Sequence, residues 1–431
     1  MITKFSAFNH FIKKEDKNLL YNANSDEVIN LVPELAALIQ ENKETTDNIK
    51  NIHPELFSKL LEKHFIVSTD EDELKTIINK WEKEDNNDNN FGIIINPTLD
   101  CNLHCWYCYE RHKPGMDMKP STLDAIKTLI INKLKNTKIR QLTLSFFGGE
   151  PLLQYFSVVQ PLISFAMENC NQHNVLLIIA FTTNGVLLNK SIIEDLSSYQ
   201  TKIPISFQIT LDGNEEVHNK IRHTKDGQPT FDKIIDNIKI LVSHDMVVNI
   251  RLNYTNKSIP TFVDIIEEFK TLSKEENSRI SFDFQKVWQD ISTVTTSKKL
   301  EELRKWFKEE RLSVNCSAKF MKSRCYADKC NNLLVNYDGS VYKCSARDFN
   351  VENREGVLLT DGTIDWNDKY KYRMSIKYGN NTCHNCSIFP ICHGGCSQDK
   401  KESAFKEKCI FNYSESDKKN IIIERINELF K

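Results

Sequence analysis

From residue 91 to about 286, short apolar runs alternate with longer stretches of helical periodicity. The apolar runs are GIIINPT, QLTLSFF, VLLIIAFTT, PISFQITL, MVVNIRLNY and RISFDFQ. Helical patterns begin between them near Ser121, Tyr155, Lys190, Thr230 and Pro260. Such alternation leaves few architectures open, because parallel strands must be joined by crossover segments that return the chain to the same edge. Six strands fall short of the eight of a full TIM barrel. The expected fold class is therefore α/β, an open, partial (β/α)6 TIM-type barrel. Sites in such folds gather at the C-terminal ends of the strands.

The flanks read differently. In residues 1–85, FSAFNHFI and NLLYN are split by the polar KKEDK, a hairpin pattern. PELAALIQEN and PELFSKLLEKHF each open with a proline suited to a first helical position. HFIVS reads as a strand, and TDEDELKTIINKWEKE as a helix opened by an Asp70–Glu73 capping box. The order β-β-α-α-β-α is that of a winged-helix-like domain. The polar DNNDNN reads as a linker to the barrel segment, 91–297. Residues 298–431 open with a charged helix, KKLEELRKWFKEER, continue as a cysteine-rich stretch of poor periodicity and end in a helix near 415–430.

A formal net charge of −2 argues against a nucleic-acid or anionic-membrane partner. No apolar run approaches the ~20 residues that span a bilayer. MITKFSAFNHFIKKEDK lacks the apolar core of a signal peptide, and the expected location is the cytoplasm. An odd count of 13 cysteines argues against a disulfide framework. None precedes Cys101, and nine fall between Cys316 and Cys409, a clustering that points to metal ligation.

The first cluster of cysteines is CNLHCWYC, holding Cys101, Cys105 and Cys108 directly after the first barrel strand. Structural zinc closes a tetrahedral shell and a cubane iron–sulfur cluster takes four thiolates. Three thiolates leave one metal position open. Alone, the spacing fits an iron–sulfur site, zinc, or unligated cysteines. The tips of the next strands add polar turns: Gly148-Gly149-Glu150-Pro151, then TTNG (Thr182–Gly185), then TLDG (Thr210–Gly213) followed by Arg222. Each is an ordinary turn by itself. Together they ring the cysteine loop with ligand-binding groups, which packing alone does not require.

These residues resemble the radical S-adenosylmethionine (SAM) superfamily over roughly residues 91–285. CNLHCWYC, FFGGEP, TTNG and ITLDG…R carry the resemblance. It implies a [4Fe–4S] cluster on Cys101, Cys105 and Cys108, whose open iron takes the amino and carboxylate groups of SAM. It also implies a 5′-deoxyadenosyl radical that abstracts hydrogen from substrate. By the same resemblance Tyr107 lies near the adenine, and Gly148, Gly149 and Glu150 hold the methionine amino group. Asn184 and Thr210 line the pocket, and Arg222 faces the SAM carboxylate. His218 and Asp212 read as structural, and His104 and His393 as solvent-exposed loop histidines.

Downstream, Cys325, Gly339, Cys344 and then Cys383-x2-Cys386-x5-Cys392-x3-Cys396 and Cys409 resemble the SPASM auxiliary-cluster domain over about 316–412. That resemblance implies two further [4Fe–4S] clusters, three in all. One uses Cys325, Cys330, Cys344 and Cys396, with Cys316 as the alternative to Cys330. The other uses Cys383, Cys386, Cys392 and Cys409. Cys170 is left as a packed small hydrophobe. SPASM enzymes of this superfamily act mostly on peptides and proteins. The expected function is a maturase that cross-links a ribosomally made precursor peptide, forming a thioether, C–C or C–O bond. Its N-terminal domain resembles the element that recognises a leader peptide by strand addition. The expected reductant is a flavodoxin or ferredoxin. The alternatives are an anaerobic sulfatase maturase forming formylglycine, a peptide epimerase, and a non-enzymatic iron–sulfur scaffold. Sulfatase maturases carry an aspartate where this chain has Ser345, which leaves the acid/base residue unassigned.

Overall fold

The computed structural model describes residues 2–14, 16–112, 114–290, 294–310, 312–315, 324–403 and 407–430. Cys316 lies outside the described residues. The chain forms two compact units.

The first unit gathers Met1–Asn86, Ala318–Lys329 and Lys371–Lys431. Strand β1 (Thr3–Phe5) is followed by β2 (Asn9–Lys14), β3 (Lys17–Asn22) and β4 (Glu27–Leu31), then by three helices, β5 (Ile66–Ser68) and a fourth helix. β2, β3 and β4 form an antiparallel sheet, and β1 pairs with β5. The hairpin of β2 and β3 falls where the KKEDK break places it. β4 and the helix Thr46–Ile52 have no strong sequence signal: the first is half-buried, and only two residues of the second are buried. Helices Pro33–Glu41 and Pro54–Glu62 both begin at their prolines. The fourth helix, Glu73–Asp85, departs from the expected capping. Asp72 is the cap, accepting from Lys75 N at 3.0 Å. Glu73 is instead buried, accepting from Ser6 Oγ at 2.5 Å and Ala7 N at 3.1 Å, so its carboxylate fastens the turn after β1 to the helix.

One core joins both ends of the chain in this unit. Phe8, Tyr21, Ile77 and Trp81 pack with Ile388, Phe389, Ile421, Ile422 and Ile426. Beside it lies a buried charge network. Asp85 receives Arg324 Nε at 3.1 Å on both oxygens and Lys377 Nζ at 2.9 Å. The Arg324 guanidinium also sits over Trp81 and Tyr378. All three charged residues are at most 5% exposed. Removing the anion takes the ion pair from buried Lys377 and leaves buried Arg324 with Asp328 Oδ2 at 3.4 Å, and breaking a buried pair typically costs about 3–5 kcal/mol. Asp85→Ala is therefore expected to lower the unfolding free energy by about that much in a denaturant titration.

The second unit comprises Asn87–Ser317 and Cys330–Tyr370. It is built on β6 (Asn90–Ile95), β7 (Gln141–Phe146), β8 (Leu176–Thr183), β9 (Ile205–Leu211), β10 (Val247–Tyr254) and β11 (Ile280–Lys286), the six strands read from sequence. The sheet does not stop there. β12 (Ser313–Asn315) adds in parallel to β11, and β13 (Asn332–Val335) in parallel to β6. β14 (Ser340–Tyr342), β15 (Gly356–Leu358) and β16 (Ile364–Trp366) then continue it antiparallel. The result is an open eleven-stranded sheet, with eight parallel strands instead of the expected six. β12 and β13 are three and four residues long, too short to show a period among the cysteines.

The two faces of this sheet differ in chemistry. One is apolar and covered by helices, with Phe146, Phe181 and Phe207 stacked across three adjacent strands. On the other face, Thr182 pairs in register with Gln208, and Thr210 with Arg251. Parallel sheets are normally apolar on both faces. A polar inner face marks a ligand cleft.

Candidate active site

The cleft opens at the C-terminal ends of β6–β11. Cys101, Cys105, Cys108, Tyr107, Gly148, Gly149, Asn184, Thr210 and Arg222 all line it, so nine of the residues singled out from sequence share one wall system. Glu150 does not line it.

The cysteine loop is held by the turn after β7. Gly149 N donates to Thr98 O at 3.1 Å and Glu150 N to Asp100 O at 2.9 Å. A Cβ at Gly148 would stand 2.5 Å from Thr98 O, and one at Gly149 2.2 Å from Asp100 O. The paired glycines are needed because the loop backbone lies directly on them. Glu150 is fully buried behind this contact. Its carboxylate accepts from Leu152 N at 3.0 Å, Thr183 Oγ1 at 2.8 Å and Asn184 N at 2.8 Å. It thereby ties the β7 tip to the β8 tip. Burial raises its pKa, and these donors oppose the rise. Asn184 in turn donates through Nδ2 to Asn102 Oδ1 at 2.8 Å, inside the cysteine loop.

Three thiols thus face one cavity. Burial pushes Cys101 up to about 12 and Cys108 up to about 11, and raises Cys105. Such thiols keep their protons until a metal displaces them, so loading releases protons. Arg222 is 8% exposed. Burial works against its charge, yet Cys105, Tyr107 and Asp212 hold it well above its ordinary pKa. Asp212 is buried and pushed up to about 6 by desolvation, an effect Arg222 opposes. His218 is fully buried between Asp212 N and Thr230 Oγ1, a structural placement.

Several cleft residues were not anticipated. His112 places Nε2 3.1 Å from Cys108 Sγ and Nδ1 2.8 Å from Leu99 O. Glu110 lines the cleft, is pushed up to about 7 by burial, and has an Oε2 without a hydrogen-bond partner among the described residues. Asn253 and Arg251 come from the end of β10. Their signal was available, since polar residues at alternate positions near a strand's C-terminal end point inward. Tyr109 donates to Ser345 O at 2.6 Å, placing the residue after Cys344 beside the cysteine loop. His104 is exposed, as expected. His393 is not: it is half-buried, edge-on to Trp81, and pushed down to about 4 by burial.

A second cavity lies in the first unit. Cys383, Cys386, Cys392 and Cys409 line it together with Tyr413 and Lys418. Burial first, and then the other three cysteines, push Cys392 up to about 12. Cys325 and Cys396 belong to that same unit, and Cys330 and Cys344 to the other. Cys170 is buried in the barrel core, as expected. Among the described residues no group of three or more His, Cys, Asp or Glu closes around a single-ion site. No helix among them is long and apolar enough to cross a membrane.

Residues 95–267 match the model of the radical SAM superfamily. A cysteine-type anaerobic sulfatase-maturating enzyme of Clostridium novyi (strain NT) is 25% identical over 379 residues, 79% of this chain and 94% of that protein. An uncharacterized protein, MJ0907, of Methanocaldococcus jannaschii is 30% identical over 257 residues, 58% of this chain and 84% of that protein. Among solved structures the fold is similar to that of Streptococcus suis SuiB bound to precursor peptide SuiA. The TM-score is 0.51 at 16% identity, covering 96% of this chain and 100% of that one. The family match runs through the cysteine loop, the β7 turn, the β8 tip and Arg222, the residues that build the cleft, and the chain is an enzyme of the radical SAM superfamily, whose members use SAM and a [4Fe–4S] cluster.

Proposed function

We propose that this enzyme is a peptide maturase that installs an oxidative cross-link in a ribosomally made precursor. The cofactor site would be the barrel cleft. Its residues fit the group: three thiols face one cavity and, among the described residues, no fourth cysteine lines it. The buried Arg222 guanidinium, whose Nε has no hydrogen-bond partner among the described residues, stands beside them. Cys101, Cys105 and Cys108 would hold the cluster, leaving one position for SAM. When bound, cluster and SAM together supply a hydrogen-abstracting radical. The chain's own part is to bind, orient and shield. Arg222 offers a charge-assisted donor for a carboxylate. Gly148 and Gly149 let the loop backbone lie directly on the β7 turn, and Thr210 and Asn184 add polar contacts.

The observation that carries the maturase reading is the second, four-cysteine cavity. It supports an auxiliary cluster on Cys383, Cys386, Cys392 and Cys409. The SPASM resemblance implies a second auxiliary cluster as well. Cross-linking removes two hydrogens: one leaves as an atom to the radical, and the other as a proton and an electron. Cys383, Cys386, Cys392 and Cys409 would hold an auxiliary cluster that could accept that electron. The three-stranded β2–β3–β4 sheet followed by helices supports a winged-helix-like leader-recognition element, with β4 as an edge able to accept a peptide strand. Its core is shared with residues 388–426, so recognition is better probed by substitutions on β4 than by deleting residues 1–85.

The sulfatase-maturase reading is favoured by the sequence likeness to the C. novyi protein. Ser345 counts against it, as does the N-terminal sheet. The deciding experiment is mass spectrometry of any small peptide encoded beside this gene, co-expressed with the enzyme without air in ordinary and in heavy water. Loss of two hydrogens with linked fragment ions is expected. Unchanged mass in ordinary water with one deuterium gained in heavy water indicates an epimerase instead. No change in either, with SAM still cleaved, moves the assignment to a protein substrate such as a sulfatase.

A further inference from the structure

Tyr107 stands between the second and third cysteines of the loop, and its hydroxyl is fully committed. A phenol has one proton to donate and two lone pairs to accept with. Tyr107 donates to Asp212 Oδ2 at 2.9 Å, and accepts from Arg222 Nη1 and Asn253 Nδ2 at 3.0 Å each. The partners come from three separate elements. Asp212 follows β9, Arg222 caps the helix Glu215–Ile221, and Asn253 lies in β10.

The phenol oxygen is also what joins the two buried charges. Arg222 Nε and Asp212 Oδ2 are 3.7 Å apart, an ion pair but too long for a hydrogen bond. Arg222 Nε and Asp212 Oδ1 have no hydrogen-bond partner among the described residues. An unspent donor on a buried guanidinium is costly unless a ligand takes it. The guanidinium lines the cleft beside Cys105. A carboxylate is the group its planar fork suits.

We propose that Tyr107 is a positioning residue acting through its hydroxyl. It locks the cysteine loop to Asp212 and Asn253 and fixes the Arg222 guanidinium at the height where it receives the carboxylate of SAM. The inference rests on the reading of Cys101, Cys105 and Cys108 as cluster ligands. It differs from a role for the ring alone, against the adenine, because Tyr107→Phe keeps the ring and removes only the oxygen.

The test uses the full-length protein reconstituted without air, as wild type, Tyr107→Phe and Asn253→Ala. Iron and sulfide content, thermal midpoint and the EPR spectrum of the reduced cluster without SAM are recorded first. SAM is then titrated and its perturbation of that spectrum followed. Tyr107→Phe is expected to load its cluster as the wild type does. Half-saturation is expected at about 10-fold more SAM, since a charge-assisted contact is lost from its set geometry. Asn253→Ala, which leaves the Asp212 and Arg222 links to the phenol, is expected to shift in the same direction by less. Half-saturation of Tyr107→Phe at the wild-type SAM concentration overturns the proposal. A wild-type spectrum that does not respond to SAM overturns the cysteine-loop assignment and the proposal with it, and is told apart by the wild-type control.

Discussion

Substituting alanine for Cys101, Cys105 and Cys108 together is expected to reduce SAM cleavage to background while removing only about four irons per chain. The three thiols face the barrel cleft, whereas Cys383, Cys386, Cys392 and Cys409 face a cavity of the first unit. Each set has its own walls, so emptying one leaves the other's ligands intact. The loop also has anchors that do not depend on its sulfurs: Glu150 N to Asp100 O, Asn184 to Asn102, and the short bridge between Leu103 and Thr224. The barrel should therefore keep its fold, and circular dichroism should be unchanged. Iron analysis with SAM-cleavage assays on the reconstituted protein checks the expectation. Iron that falls to zero would mean that the C-terminal cysteines hold none on their own. Iron that does not fall at all would remove the cleft cysteines from the cluster.

What the sequence made legible follows from how strongly each element is constrained. The six long strands and their crossovers repeat apolar residues over six to eight positions, and the structure has them where the pattern places them. The strand tips were legible because the cysteine loop and three polar turns follow successive strands, and the cleft gathers residues from each of them. Short elements were not. β12 and β13 carry too few residues for a period, yet pairing with β11 and β6 makes them strands. Glu150 illustrates a different limit. Its motif was visible, but its three donors come from the β7 turn itself and from β8, and only three-dimensional packing shows the carboxylate working as a strut. Glu73 is similar, since its partner Ser6 lies 67 residues away in the chain.

That distinction between contacting a ligand and shaping its site gives the second large effect, which falls on Gly149. An added methyl there would meet Asp100 O at 2.2 Å, and the carbonyl carbons of Asp100 and Leu99 at 2.7 Å. All three are backbone atoms, so no side chain can swing aside. Relief requires moving either the β7 turn or the loop that begins at Cys101. The β7 turn is the less free, because Glu150 behind it is fully buried and bonded to β8. The loop therefore moves, and Cys101, itself only 7% exposed, moves with it. Gly149→Ala is expected to lose about 1–3 kcal/mol of stability, the usual range for overpacking a close contact. Its larger effect is expected on cluster loading. Iron should fall to the level retained by the variant lacking Cys101, Cys105 and Cys108, with SAM cleavage at background. A Gly149→Ala protein with full iron, but weakened SAM binding, would instead place this glycine against the cofactor and not under the loop. Serine at the same position adds the same Cβ and should fail equally. A neighbouring change, Gly148→Ala, adds its Cβ 2.5 Å from Thr98 O and forces a φ of +101° that alanine rarely adopts. It should be no milder, since both the loop contact and the backbone conformation oppose it.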